Sequence, residues 1–148
     1  MKERVHFIAA TVATLTIAAF FVSTLLVEFL GSSDAVAHVK RLIVLPGLLI
    51  LVPAIAATGG TGFALSKSRQ GRLVDAKKKR MPFIVVNGLM ILIPCAILLD
   101  SWASQSTFDA RFYLVQGVEL AAGGTNLVLM GLNMRDGLML SGRVRSIR

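Results

Sequence analysis

The sequence predicts an all-α integral membrane protein: a four-transmembrane-helix, up-down-up-down bundle with both termini on the cytoplasmic side. Three observations carry this. The chain of 148 residues is 55% hydrophobic and 16% charged, oilier than the roughly 45–50% apolar and about 25% charged of a soluble domain. Its apolar residues fall into four runs, Phe7 to Phe29, Leu42 to Leu65, Pro82 to Trp102 and Phe112 to Leu132. At about 1.5 Å per residue each covers about 30 Å of hydrocarbon. Finally, the basic residues are sorted by segment. Lys2 and Arg4 precede the first run. Lys67, Arg69, Arg72, Lys77, Lys78, Lys79 and Arg80 lie between the second and third, and Arg135, Arg143, Arg145 and Arg148 follow the fourth. Only Lys40, Arg41 and Arg111 fall on the other side. By the positive-inside rule the rich side is cytoplasmic, so residues 1–148 read as one membrane domain, expected in a bacterial cytoplasmic (inner) membrane.

Span one resembles a secretory signal in its basic start and in Ala35-Val36-Ala37, a small-residue cleavage pattern. Its apolar run exceeds the 7 to 15 residues of a signal core, and the pattern lies well past its end. An uncleaved helix is therefore expected. Thr14, Thr24 and Glu28 recur along it at helical spacing. The segment Leu30 to Arg41 reads as a connection turning at Gly31-Ser32-Ser33-Asp34.

Span two presents a mostly small stripe, Pro46, Ile50, Pro53, Ala57, Gly60 and Ala64. Such a stripe lets helices approach closely in lipid, or lines a groove that admits a ligand or lipid. The following connection, Ser66 to Met81, ends in Lys77-Lys78-Lys79-Arg80, whose stems can snorkel into the headgroup layer. These four residues are candidate contacts for anionic lipid at the cytoplasmic face. No stacking aromatics interleave with them, which argues against nucleic acid.

Span three repeats part of span two, with Gly88-Leu89-Met90-Ile91-Leu92-Ile93-Pro94 against Gly47-Leu48-Leu49-Ile50-Leu51-Val52-Pro53. The likeness fits either chance or an inverted repeat. Pro53 and Pro94 each free a carbonyl one turn earlier, and Asn87, Asn126 and Thr58 lie at a depth to satisfy such carbonyls or one another. Trp102, Phe112 and Tyr113 read as an interfacial aromatic belt.

Span four is the most informative. Steps of four and three from Phe112 pass through Gln116, Glu119, Gly123, Asn126, Met130 and Asn133, a polar stripe that must face protein. Glu119 lies about three residues outside the midpoint, and an acid at that depth marks a site or pathway unless it is paired, hydrated or neutral. Lys40, Arg41 and Arg111 are its available basic neighbours. Acids and His are also concentrated in the outer half: Glu28, Asp34, His38, Asp100, Asp109 and Glu119.

The leading expectation is thus a polar site open to the outer side, with Glu119 supported by Gln116 and Asn126 and with Glu28 and His38 near its mouth. It would bind or move a proton, a cation or a small cationic solute, in a homo-oligomer or as a subunit of a larger membrane complex. The alternatives are a redox subunit holding haem or quinone through His38, and an anchor or scaffold in which the stripe only sets helix register. One Cys and two His exclude a disulfide framework and a His-rich metal cage. No Walker A, G-x-S-x-G, H-E-x-x-H or C-x-x-C motif is present, so an autonomous hydrolase or kinase is not expected.

Overall fold

The structure, a computed structural model, describes residues 1–67 and 71–141. Arg69, Arg143, Arg145 and Arg148 of the basic tally lie outside the described residues. Among those described every regular element is helical. Helix α1 spans Lys2–Leu30 and α2 Ser33–Leu42; a π-helical turn, Ile43–Gly47, leads into α3, Leu48–Ser66. Helix α4 spans Arg72–Asn87, a second π turn covers Gly88–Leu92, and α5 (Ile93–Ser104) and α6 (Ala110–Leu140) complete the chain.

Three helical stretches, Glu3–Leu30, Ser33–Leu65 and Arg72–Ser104, are long and apolar enough to cross a membrane. Helix α6 is as long, with 31 residues, but its polar stripe dilutes its hydropathy. Large apolar side chains point outward at mid-helix, among them Leu15, Leu49, Phe83, Met90, Leu114 and Val128. The largest fully buried side chains include Lys40, Asn126, Thr24 and Asp136. A bundle with oil outside and polar groups inside suits a bilayer, whose tails take the place of water around the exterior.

The connection expected over Leu30 to Arg41 is mostly helix instead. Ser32 caps α2, its hydroxyl accepting the Ala35 N–H at 3.3 Å. No Gly or Pro then interrupts the chain until Pro46, and Val36 and Lys40, one turn apart, are both buried. The true turn is only Gly31-Ser32. The continuous apolar stretch is broken lower down, at Leu45, whose φ of −136° and ψ of 114° are extended. A residue before proline is driven to that region by the Pro ring; the Leu45–Pro46 bond is cis. The likeness of spans two and three does not extend to the backbone, because Gly47 closes the first π turn whereas Gly88 opens the second.

Helices α1 and α3 run antiparallel, with Phe20 against Gly47 at one end and His6 against Thr58 and Thr61 at the other. The α4–α5 arm is antiparallel to α6, pairing Arg80 with Asp136 and Asn87 with Asn126 and Ala122. Phe21 of α1 lies against Gly123 and Gly124 of α6. The Ala121–Thr125 stretch therefore receives an aromatic ring. Gly60 of α3, in the stripe expected either to allow close helix approach or to line a groove, and its neighbour Gly59 have nothing among the described residues within 4 Å of an added Cβ. Close approach occurs at Gly47 instead, where a Cβ would strike the Phe20 ring and come within 2.8 Å of the Leu42 carbonyl.

Two apolar layers hold the bundle. One joins Ala13, Ile17, Leu51, Ala54, Ile84 and Met130. The other joins Val36, Leu99, Ala103 and Phe112 under α2. Phe112, expected at the interface, is fully buried and packs edge-on to Phe108 at 4.9 Å between ring centroids. Tyr113 remains exposed and Trp102 half-buried, as belt residues would be.

Candidate functional site

The stripe on α6 faces the inside of the bundle along its whole length: Phe112, Gln116, Glu119, Gly123, Asn126, Met130, Asn133 and, beyond them, Asp136 are all buried. Three polar clusters hang on it.

The first centres on Glu119. Lys40, reaching in from α2 with no exposed surface, places Nζ 2.5 Å from Glu119 Oε2. Gln116, one turn before Glu119 on α6, donates from Nε2 to the same oxygen at 3.1 Å. Glu28, near the end of α1, lies within electrostatic range of both Lys40 and Glu119. Beside them Arg41 Nη1 donates to Asp100 Oδ2 at 3.2 Å. Three oxygens around this cluster, Glu28 Oε2, Asp100 Oδ1 and Gln116 Oε1, are buried without a hydrogen-bond partner among the described residues. All are acceptors, so the region is short of donors. Among the described residues no group of three or more His, Cys, Asp or Glu is placed to hold a metal ion.

The second cluster lies one to two turns deeper. Asn87 Nδ2 donates to Asn126 Oδ1 at 2.8 Å and to the Ala122 carbonyl at 2.9 Å. Asn126 Nδ2 donates to the Ile84 carbonyl at 3.3 Å. Asn126 thus supports α4 where it widens into the π turn and a carbonyl needs a second partner. This places Asn126 away from the Glu119 carboxylate that it was expected to support.

At the other end of the bundle Arg80 Nη1 donates to Asp136 Oδ2 at 2.7 Å and contacts Asn133 Oδ1 at 3.5 Å, while Arg135 takes Asp136 Oδ1 at 3.2 Å. Burial alone would push the Asp136 carboxyl up. Its hydrogen bonds from Arg80 and Arg135 and their charges outweigh that and hold it below the ordinary aspartate range. Arg80, grouped by sequence with Lys77, Lys78 and Lys79 as a headgroup contact, therefore turns inward. Lys78 and Lys79 stay exposed.

His38 is exposed on α2. His6 is at the opposite end, its Nδ1 3.0 Å from Thr61 Oγ1 and 3.2 Å from the Thr58 carbonyl. A cavity of about 330 Å³ lies between α1, α3, α5 and α6, with Thr24, Glu119 and Asn126 among mostly apolar walls including Phe20, Phe21 and Leu92. His38 is not among its lining residues.

One burial and one partnership escaped the sequence. Lys40 was one of three basic neighbours open to Glu119 but read as a loop charge, although Val36, Lys40 and Ile43 share one helical face and all three are buried. Asp136 lies one turn beyond Asn133 on the stripe, outside the apolar run that defined span four, and that spacing was the available signal. Comparison with protein-family models, with curated proteins and with solved structures finds no match, so the site rests on its own chemistry.

Proposed function

We propose that the chain is a four-span protein of a bacterial cytoplasmic membrane, both termini cytoplasmic, that binds and relays a proton at the Glu28–Lys40–Glu119 cluster from the outer side. The observation that carries this is charge balance. Glu119 is ion-paired with one fully buried ammonium, Lys40, and Glu28 lies within electrostatic range of both, so the group carries one unit of negative charge when all three ionise and becomes neutral on taking one proton. In a low-dielectric interior such an excess is costly, and a proton is the smallest species that removes it. The Lys40 ammonium already fills the place at Glu119 that a cation or small cationic solute would take, which favours the proton among these three ligands. The donor-poor oxygens of Glu28, Asp100 and Gln116 also suit water or a protonated group. Working as a homo-oligomer or as a subunit of a larger complex is supported by Gly117, Ala121 and Thr125. These exposed small residues lie four apart on α6, the spacing membrane helices use to associate.

The test uses proteoliposomes with a trapped pH-sensitive dye. Glu28→Gln is expected to abolish proton movement while leaving thermal stability near that of the parent. Glu119→Gln strands Lys40 and should cost about 3–5 kcal/mol of stability, whereas Lys40→Met with Glu119→Leu should restore much of it. Full proton movement in that double variant would sink the proposal, and no proton movement in the parent would favour the anchor reading.

A second reading is favoured by the cavity alone. Its volume falls at the lower end of small-molecule sites, and a quinone-like ring could present one polar edge to Glu119 and Asn126. This reading keeps only the quinone part of the redox alternative and moves it away from the exposed His38, because the cavity lining holds no His, Met, Cys or Tyr to ligate haem iron. Native protein that yields no quinone on extraction would remove it.

A further inference from the structure

We infer that the groove at the Lys77 end of the bundle, between α1, α3, α4 and α6, is a binding site for one anionic phospholipid, held by its phosphate at the basic rim and by its tail along the apolar wall. The groove is separate from the Glu28–Lys40–Glu119 cluster. Its volume is about 1180 Å³, ample for much of a lipid chain. The rim carries Arg4, Lys67, Lys77 and Lys78 against the single acid Glu3, and the walls below include Phe7, Ile55, Phe63, Met81, Ile84 and Met130. From Glu3 to Thr14 the groove follows α1 over 12 residues, a rise of about 16 Å at 1.5 Å per step. That is close to half of a hydrocarbon core of about 30 Å, one leaflet's depth.

A second observation gives the ligand its polarity. Asn133 lines the groove and is 8% exposed, yet its Nδ2 is buried without a hydrogen-bond partner among the described residues. Arg80 approaches its Oδ1 at 3.5 Å, which leaves the amide NH2 as the unpaired group. An orphan donor below a basic rim asks for acceptor oxygens, and the ester carbonyls and phosphate of a phospholipid supply them at two successive depths. Gly59 of α3, where an added Cβ would meet nothing within 4 Å among the described residues, belongs to this wall. Its missing side chain leaves space for a chain of methylenes.

This reading separates neighbours that a diffuse attraction would treat alike. Lys78 lines the groove, whereas the equally exposed Lys79 does not. The experiment is native mass spectrometry of the full chain in non-ionic detergent, titrated with phosphatidylglycerol or with phosphatidylcholine of the same tails. One phosphatidylglycerol per chain should be retained, in preference to phosphatidylcholine. Lys78→Gln should weaken it about fivefold. Asn133→Asp, which replaces the orphan donor by an acceptor, should weaken it by at least as much, and Lys79→Gln should leave it unchanged. Lys78 is exposed, so Lys78→Gln carries the test even if Asn133→Asp does not accumulate. Equal retention of phosphatidylcholine, equal losses from the two lysine variants, or displacement of the lipid by inorganic phosphate alone would each overturn the assignment.

Discussion

Lys40 shows how far a single residue's role depends on its partner. By itself it is a basic residue near the end of a hydrophobic run, and the positive-inside rule treats it as one charge of three. Packed against Glu119 it becomes the most buried cation in the described residues, at 0% exposure. The same logic governs Arg80. Arg80→Gln leaves Asp136 to Arg135, whose side chain is 57% exposed, and is expected to cost on the order of 1–3 kcal/mol in thermal unfolding. Asp136→Asn, which removes the buried charge with it, should cost less. The pH dependence has a defined sign. A carboxyl held below its ordinary range contributes stability above the unfolded value of about 4, and that contribution is lost as pH falls through the folded value. The gap in melting temperature between the parent and Arg80→Gln should therefore be full near neutrality and shrink on acidification below about pH 4.

Helix α2 is the element on which the candidate site depends, because it alone carries Lys40 and Arg41 to α5 and α6. It is ten residues long, too short to be stable without its cap and its buried face. Ser32→Ala should destabilise it by about 1 kcal/mol, read as faster amide exchange over Val36 to Leu42 with α6 unaffected. The π turn below it is sterically closed, since Gly47 admits the Phe20 ring only because it has no Cβ. Gly47→Ala is expected to cost about 1–3 kcal/mol, and Phe20→Leu in the same chain should recover part of it. Recovery would show that the clash is with the ring. No recovery would place it at the Leu42 carbonyl.

The whole molecule is a bundle turned inside out relative to a soluble one, and its charges are distributed accordingly. Arg80, Arg135 and Asp136 gather at one end, Lys40, Arg41, Glu28, Asp100 and Glu119 at the other, with the Asn87–Asn126 pair between them. The proposed orientation makes the second end external. In a Cys95→Ala background, Ser106→Cys should react with an impermeant maleimide in intact cells, and Lys79→Cys only after permeabilisation. The reverse pattern would invert the topology. Loss of labelling at both positions would indicate that partner subunits cover the loops.

Composition and periodicity determined the long apolar helices and the buried stripe of α6, because a bilayer asks each span to be a long apolar helix and turns polar side chains inward. Glu119, Gln116 and Asn126 were legible on those grounds. Which polar groups meet was decided only by the tertiary structure. Hydropathy cannot tell a short amphipathic helix from a connection, so α2 and the burial of Lys40 stayed hidden. Residue counting put Asn87 and Asn126 at one depth, and they do bond each other, but spacing along one helix could not show that Asn126 would thereby turn from Glu119, nor that Arg80 would find Asp136 rather than lipid. The small residues of span two were visible as a pattern. Only packing determined that Gly47 admits a ring while Gly59 and Gly60 face open space.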